Sequence, residues 1–186
     1  MLIKDSIKSY LDKLSSETPT PGGGSASAVV AAMGAGLLLM VAKIARKKLA
    51  APEQKSLDKS IKLLTKCLRD MEEVVDLDVK VYQAVMAAYK KKETAKIESA
   101  LANSFRLQAD LAFLIAMAKE ALPALFKAAN GAIRNDLLVA RAFLDGAFQG
   151  AIATARVNVK YMAVAKRDHF GIALEQLEKK YYNIKT

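Results

Sequence analysis

The sequence is poor in the residues that form disulfides and histidine-based sites. It contains one cysteine, Cys67, one histidine, His169, and no tryptophan. A lone cysteine cannot form an internal disulfide, so we expect a buried Cys67 and a reducing, cytoplasmic location. Because the one histidine lies outside every motif described below, we expect it at the surface and predict neither a histidine metal site nor a Ser-His triad. Carboxylates and lysines must then carry any proton transfer, without a metal or a cofactor.

Aromatic residues are scarce although the apolar fraction is large. Hydrophobic residues fill 53% of the 186 positions and aromatic residues 6%, a composition typical of helices that pack through small side chains. The length suits a single domain, residues 1–186, with its own core. Apolar periodicity and Pro or Gly breaks predict an all-α fold of about five to six helices. They run from Asp5 to Ser15, Gly24 to Leu49, Pro52 to Tyr89, Glu93 onward with an interruption at Pro123, Asn135 or Asp136 onward, and Lys166 to Tyr182.

Acidic residues are outnumbered by basic ones, 19 against 29, which gives a net charge of +10. A positive charge of this size favours anionic partners. The basic clusters at 43–48, 90–92 and 179–180 are not interleaved with aromatic residues and form no motif that reads DNA. We therefore expect no nucleic-acid partner, and a non-catalytic basic helical protein that binds some other partner stays open as an alternative.

The longest uncharged run is shorter than an ordinary membrane span. It extends from Ala26 to Ala42, 17 residues, whereas a span usually needs about 20 predominantly apolar residues. The run is rich in Ala and Gly, which insert weakly. We predict a buried central helix here, no membrane partner, and an amphipathic N-terminal helix rather than a signal peptide.

A Pro- and Gly-rich stretch, Thr18 to Ser25, precedes this apolar run and reads Thr-Pro-Thr-Pro-Gly-Gly-Gly-Ser. The prolines stop the preceding helix, and the glycines leave backbone N–H groups open to close approach. Ser25 is predicted to cap the next helix, so the stretch offers a seat for an anion or a carbonyl oxygen. It is neither a P-loop nor a dinucleotide fingerprint, and a flexible hinge would explain it equally well.

The string Pro-Thr-Pro-Gly-Gly-Gly-Ser-Ala, followed by a helix containing Met-Gly-Ala-Gly at 33–36 and Met-Val-Ala at 40–42, resembles the cyclodeaminase/cyclohydrolase family. That family comprises the C-terminal domain of formiminotransferase-cyclodeaminase and stand-alone bacterial methenyltetrahydrofolate cyclohydrolases. The resemblance extends from about Asp5 to Lys160. It implies an up-and-down bundle of mostly antiparallel helices, a homodimer, and a folate substrate in a cleft beside the Gly-rich loop. The substrate-binding candidates in that loop are Pro21, Gly22, Gly23, Gly24 and Ser25.

A second segment places an acid among apolar and aromatic residues. Asp78, Tyr82, Val85 and Tyr89 fall on one helix face. A buried carboxylate requires a raised pKa or a partner, and on spacing alone an ion pair with a lysine is as consistent as catalysis. The family's matching segment has Asp, three residues, an aromatic and then Val-Met-Ala-Ala-aromatic-Lys, and its acid lines the active site. The resemblance therefore makes Asp78 a catalytic candidate and Tyr82 a substrate-binding one.

A third segment opens the fifth predicted helix at Asn135-Asp136 and continues to Arg156 and Asn158. Read alone, Asp136 is an acid favoured by the helix dipole, and a satisfied network within the bundle would explain the helix's polar face. In the family pattern, Asp136 matches a second acid, Arg156 and Asn158 match directly, and Asn135 replaces a serine. We predict Asp136 as catalytic and the other three as substrate-binding.

Two departures from the family pattern bear on specificity. After Met-Val-Ala the family commonly has Leu-Thr and then Gly-Lys-Lys, whereas this chain has Ile-Ala-Arg-Lys-Lys at 44–48, shorter and with Ala45 in place of the threonine. Lys47 and Lys48 are the nearest counterparts of the family's two lysines and are predicted to orient the substrate or shuttle a proton. Where relatives usually have Val-Pro, this chain has Leu107-Gln108.

By resemblance, the expected reaction is hydrolysis of 5,10-methenyltetrahydrofolate to 10-formyltetrahydrofolate, with a folate that can be polyglutamylated. Asp78 or Asp136 is the expected base, and the other acid holds the cationic substrate. The alternative reaction is the cyclodeaminase one, in which 5-formiminotetrahydrofolate closes to the methenyl compound and releases ammonia. The free-standing chain favours the first.

Overall fold

Helices are the regular secondary structure of the part of the chain that the computed structural model describes, residues 1–185 apart from the side chain of Ala165. A short 3-10 turn, Leu2–Lys4, precedes the helices. These are α1 Ile7–Leu14, α2 Gly23–Arg46, α3 Ala51–Lys91, α4 Thr94–Lys119, α5 Leu122–Ala128, α6 Ile133–Lys160 and α7 Val164–Tyr182.

Four long helices, α2, α3, α4 and α6, form the bundle. Each packs mainly against the next around a square, in the order α2, α3, α4, α6 and back to α2. All four pairs are antiparallel; for example, Ser25 contacts Val75 near one end of the α2–α3 pair, whereas Arg46 bonds to Asp58 near the other. The all-α antiparallel bundle expected from the sequence is thus confirmed.

The helix boundaries follow local sequence signals closely. Helix α3 is one continuous helix of 41 residues, with Pro52 in its first turn, where its missing N–H costs nothing. It ends at Lys91, and the next residue, Lys92, adopts a left-handed conformation with φ 56°. Pro123 separates α4 from α5 rather than kinking one helix. Cys67 is fully buried and His169 is exposed, as expected.

One packing expectation is wrong. The spacing of Ala142, Gly146 and Gly150, four residues apart on α6, predicts one close-packed face, but Ala142 is exposed and a Cβ at Gly146 would have nothing within 4 Å. Gly150 alone meets a neighbour, because a Cβ there would lie 2.2 Å from Ser27 Oγ on α2. Four residues turn a helix by about 400°, so each step drifts about 40°. The three residues therefore do not share one line of contact.

Helix α7 is attached to the bundle through a buried polar cluster. The Tyr181 hydroxyl donates to Asp145 Oδ1 (2.6 Å), Lys119 Nζ donates to the same oxygen (2.8 Å), and the Tyr181 ring stacks on Phe148 with centroids 3.7 Å apart. Hydrogen bonds from Lys119 and Tyr181 lower the pKa of Asp145 against the opposing effect of burial. Burial and the adjacent carboxylate raise the pKa of Tyr181. Tyr181 lies seven residues after the buried Leu174 and four after Leu177, so helical period places it on the inner face of α7.

Replacing Tyr181 by Phe is expected to destabilise the fold by about 1.5 kcal/mol, because the stack on Phe148 survives but Asp145 loses a donor. Urea unfolding measures the difference. The matched control is Tyr182→Phe, since Tyr182 is 60% exposed and its hydroxyl is expected to contribute less than about 0.5 kcal/mol. Equal stability of the two variants would contradict the inferred role of the buried hydroxyl.

Two helices are long and apolar enough to cross a membrane by length and composition, α2 and α6. Half of the most apolar 18-residue window of α2 is buried inside the protein, and 39% of that of α6. Core helices of this kind pass the same test, so the expected buried central helix corresponds to α2.

Candidate active site

The Gly-rich stretch forms the N-terminal end of α2, which begins at Gly23 with Gly22 as its N-cap. The prediction that Ser25 caps this helix is wrong. Ser25 lies within the first turn and is fully buried, and its hydroxyl donates to the carbonyl oxygen of Val75 on α3 (2.9 Å). The Tyr10 hydroxyl lies 3.1 Å from the same Ser25 oxygen. A carboxylate from another helix takes over the capping role, since the N–H of Ser25 donates to Asp78 Oδ2 (3.0 Å).

Asp78 is a buried carboxylate, 8% exposed, with two neutral donors. Oδ2 accepts from the Ser25 N–H, and Oδ1 accepts from Nε2 of Gln108 on α4 at 2.7 Å. The expected alternative, an ion pair with a lysine, is not formed. Burial raises the pKa of Asp78, and the bonds from Ser25 and Gln108 oppose that rise without cancelling it. A desolvated carboxylate with a raised pKa is the usual state of a general base or acid.

Gly24 makes room for this arrangement. A Cβ at this position would lie 2.2 Å from Asp78 Oδ1 and 2.3 Å from Gln108 Nε2. No side chain fits there unless both polar groups move. The third glycine of the motif therefore serves close packing of a carboxylate against the helix end, rather than backbone flexibility.

Sequence reasoning missed Gln108 as a site residue. It is fully buried on α4, and its Oε1 atom has no hydrogen-bond partner among the described residues. The available signal was the Leu107-Gln108 departure from the family pattern, together with a polar residue at a helical step between Phe105 and Ala112.

A cavity of about 610 Å³ opens beside Asp78 between the end of α2 and helices α3, α4 and α6. Asp78 is the only charged residue that lines it within the described chain. The other lining residues are Pro19, Thr20, Gly22, Gly23, Gly24, Tyr82, Val85, Met86, Tyr89, Leu101, Ser104, Ala153, Thr154, Val157, Asn158 and Tyr161. Of the predicted residues, it brings together Asp78, Tyr82, Asn158 and the three glycines, whereas Pro21 and Ser25 are buried and do not line it. Within residues 1–185, no cluster of three or more His, Cys, Asp or Glu could hold a metal ion.

A family model described as Formiminotransferase-cyclodeaminase matches residues 6–169. The chain belongs to this family. The resemblance noted on the three sequence motifs is thereby confirmed.

Curated relatives of this formiminotransferase-cyclodeaminase family member are longer than the matched region. A methenyltetrahydrofolate cyclohydrolase from Methylorubrum extorquens is 38% identical over 111 residues, which is 52% of this chain and 51% of that protein. A formimidoyltransferase-cyclodeaminase from Rattus norvegicus is 25% identical over 174 residues, 87% of this chain and 32% of that protein. The chain thus spans about half the length of the first relative and a third of the second.

The fold of this family is also found in a solved structure. Formiminotetrahydrofolate cyclodeaminase from Thermotoga maritima superposes with a TM-score of 0.92, at 24% sequence identity, over 99% of this chain and 93% of that one. At this identity the match establishes the shared fold.

The remaining predicted residues of this family member lie away from the cavity. Asp136 and Asn135 are in the first turn of α6, eighteen residues or more before Thr154, about 27 Å along the helix. Lys47 and Lys48 follow the end of α2 and are exposed. Within one chain, these four residues therefore lie at the end of the bundle opposite Asp78.

Arg156 lies between two residues that line the cavity, but its side chain points away from it. Its guanidinium donates to Glu178 on α7 at 2.5 Å, and its neighbours Thr154 and Asn158 line the cavity. Arg156 therefore links α6 to α7 in this structure.

Proposed function

We propose that this family member hydrolyses 5,10-methenyltetrahydrofolate to 10-formyltetrahydrofolate, with Asp78 as the general base. The observation that carries the proposal is a single buried carboxylate facing an otherwise uncharged cavity at a Gly-rich helix end. The name of the Methylorubrum relative supports the choice of reaction. The volume of about 610 Å³ lies in the usual range for a small-molecule site.

The charge of the substrate suits this cavity. The methenyl carbon between N5 and N10 belongs to an amidinium cation, and a carboxylate with little water around it attracts a cation strongly. Tyr82, Tyr89 and Tyr161 offer aromatic surface to the rings of the folate and to its positive charge. Substrate binding thus stabilises the ionised form of Asp78 at the moment when a base is needed.

The reaction then needs one proton acceptor that later acts as a donor. Asp78 takes a proton from a water molecule as the water oxygen bonds to the methenyl carbon. The bond from this carbon to N5 breaks, N5 receives the proton from Asp78, and the hydroxyl proton leaves to solvent as the formyl group forms on N10. A positioned acid–base group of this kind contributes about 10²- to 10⁴-fold.

The end of α2 supplies donors for substrate oxygens. The first amides of a helix have no acceptor within it and carry the positive end of the helix dipole. Asp78 uses the amide of Ser25, which leaves those of Gly23 and Gly24 to face the cavity that both residues line. They would hold a pterin oxygen or the charge that develops on the attacking oxygen.

The direct test follows the methenyl chromophore by absorbance when the purified protein is added. Faster loss of the methenyl signal supports the cyclohydrolase. The family description and the rat relative favour a second candidate, the cyclodeaminase, which would generate the methenyl signal from 5-formiminotetrahydrofolate through the same carboxylate. An unchanged methenyl absorbance with both substrates would overturn both activities and favour the alternative of a non-catalytic basic protein that binds a partner.

The predicted site residues at the end of the bundle opposite Asp78 would reach the cavity of a partner subunit in a homodimer. The outward face of α2 is an uninterrupted apolar stripe formed by Ala26, Val29, Val30, Met33, Leu37, Met40 and Ile44. Met33 is 42% exposed and Met40 38%. Exposed Ile7 and Leu11 on α1 extend this stripe across a groove of about 430 Å³. A second copy of the chain is the occupant we propose, because apolar surface of this extent is otherwise left in water.

Two-fold symmetry would also complete the site. Gly36, near the middle of α2, has open space around it, so two α2 helices can cross there in antiparallel orientation. Gly24 and Lys48 each lie twelve residues from Gly36. A two-fold axis at Gly36 therefore puts the partner's Lys48 level with Gly24, and the site of one subunit would be completed by basic residues of the other.

Replacing Met33 by Glu is expected to produce a monomer with at least about tenfold lower turnover, since a carboxylate from each subunit would have to be buried without a partner in the apolar interface. Sedimentation velocity gives the mass, and the methenyl assay gives the activity. The control is Ile172→Glu on α7, where Ile172 is 56% exposed and far from the stripe. A wild-type protein that sediments as a monomer, or a variant that remains a dimer, would contradict this interface.

A further inference from the structure

The side-chain amide of Gln108 donates to one oxygen of Asp78, and its own carbonyl oxygen is left without a hydrogen-bond partner. The side chain is fully buried, Nε2 donates to Asp78 Oδ1 at 2.7 Å, and Oε1 has no partner within the described residues. Buried polar atoms are almost always paired, so an empty acceptor next to a candidate base requires an explanation. A residue selected only for packing at this position would be apolar.

We propose that Gln108 is a positioning residue for Asp78 whose amide donates to the ionised carboxylate and, after a half-turn, accepts from the protonated acid. This inference rests on the proposed function of Asp78 as base and then acid. It concerns a residue that lies outside the three sequence motifs.

The backbone determines which oxygen of Asp78 carries the proton. Oδ2 accepts from the N–H of Ser25, a donor that cannot turn away because it belongs to α2. A proton on Oδ2 would face that donor, so the proton resides on Oδ1, the oxygen that faces Gln108. Gly24 and Asp78 both line the cavity, and because Gly24 has no side chain, Oδ1 and the Gln108 amide lie close against the end of α2.

A side-chain amide is suited to both states of this oxygen. It presents NH₂ on one side and a carbonyl oxygen on the other, in nearly the same shape. When Asp78 is ionised, NH₂ donates to Oδ1, as observed. When Oδ1 is protonated, its hydroxyl would oppose the NH₂ group, and a half-turn presents Oε1 as the acceptor. One amide atom is unpaired in each state, so the unpaired acceptor does not favour one protonation state over the other.

No charged group competes with Gln108 in this role. Besides Gln108, the described groups that bond to Asp78 or line the cavity beside it are neutral residues: Ser25 from α2, with Tyr10 from α1 next to it, Tyr82 and Tyr89 on α3, Ser104 from α4, and Thr154 and Asn158 from α6. The pKa of Asp78 is therefore set by burial, which raises it, against the two donors Ser25 and Gln108, which lower it. Of these two, only Gln108 is a side chain.

Replacing Gln108 by Met keeps the shape and removes the donor. The acidic limb of the plot of kcat/KM against pH, below which Asp78 is protonated, is expected to move up by about one pH unit or more. Activity should recover above the new limb, and the loss should fall on kcat more than on KM. Gln108→Glu should move the limb further, because two adjacent carboxylates share one proton. Gln108→Glu also serves if Gln108→Met does not fold.

The control is Ser104→Ala, one turn earlier on α4. Ser104 is buried at the cavity wall and makes no hydrogen bond to Asp78 within the described chain. Its effect is expected on KM, with the limb unmoved. A uniform loss in the Gln108 variants with an unmoved limb is what a purely structural role would produce, and it would overturn the proposal.

A second readout does not depend on activity. The ¹³C resonance of the Asp78 carboxyl, assigned by its loss in Asp78→Asn, reports its pKa directly, and the side-chain NH₂ signals of Gln108 should change over the same pH range. A higher pKa in Gln108→Met supports the positioning role even if no folate is turned over, in which case only the proposed function fails. An unchanged Asp78 titration overturns the role of Gln108 whatever the activity.

Discussion

Asp78→Asn is expected to lower the turnover of 5,10-methenyltetrahydrofolate by about 10²- to 10⁴-fold, the usual contribution of a positioned acid–base group. The amide has the size of the carboxylate but cannot take a proton from water. Its oxygen can still accept from the Ser25 N–H, and its NH₂ can donate to the unpaired Oε1 of Gln108. The variant therefore keeps its hydrogen bonds and loses the base.

The same substitution is expected to stabilise the fold at neutral pH. A carboxyl group whose pKa is raised on folding, as burial does for Asp78, binds its proton more tightly in the folded state than in the unfolded state. Its contribution to stability is therefore greatest below the unfolded pKa and falls as the pH rises through the folded pKa. An amide carries no such cost, so thermal unfolding at pH 7 should occur at a higher temperature in Asp78→Asn than in the wild type.

The control for both measurements is Asp110→Asn, another acid on the bundle whose pKa burial also raises but which lies outside the cavity. Its turnover should equal that of the wild type. Asp78→Asn with full turnover would remove the proposed base, and a variant that unfolds would assign the carboxylate a structural role instead.

Gly24→Ala is expected to lower turnover by at least about 100-fold, because a shift of about 1 Å in a catalytic group is enough to cost that much. The new Cβ would lie 2.2 Å from Asp78 Oδ1 and 2.3 Å from Gln108 Nε2. Both groups are buried, so neither can move without disturbing its neighbours. Overpacking of this kind costs about 1–3 kcal/mol of stability, more than alanine returns through its higher helix propensity.

The matched control is Gly171→Ala in α7, where a Cβ has nothing within 4 Å. There the same substitution is expected to raise the free energy of unfolding by about 0.5–1 kcal/mol and to leave turnover unchanged. Denaturant unfolding and the methenyl assay on both variants separate the two cases. A Gly24→Ala variant with wild-type turnover would mean that the contact between the helix end and Asp78 is not needed for catalysis.

Features that depend on neighbouring residues were predictable from the sequence, whereas contacts between residues far apart in the chain were not. The long helix α3, the break at Pro123 and the buried apolar helix α2 follow from periodicity and helix breakers, so they were predictable. The cap of α2 was not. The local signal favours Ser25, but a carboxylate from residue 78 occupies the position of the cap, because a buried helix end can be satisfied by any acceptor that the fold brings near.

The candidate site shows the same division. Asp78 and Tyr82 lie on one face of one helix, so their shared exposure to the cavity is a matter of helical period. Gln108 reaches Asp78 from another helix, and no period within the chain relates the two. Asp136 and Lys48 lie at the end of the bundle opposite Asp78. Their distances from Asn158 and Gly24 follow from the helical rise, but only the packing of α3 against α2 places Asp78 at the Gly24 end.

The amino-acid order alone determines where each helix begins and ends and which face is apolar, because those properties depend on residues within a few positions of one another. It also carries the motifs that place the chain in its family. The packing of the four helices decides the rest: that Asp78 is desolvated, that Gln108 and Ser25 are its partners, and that Gly24 has no space for a side chain. These are properties of contacts between residues 30 to 84 positions apart, which only the folded bundle brings together.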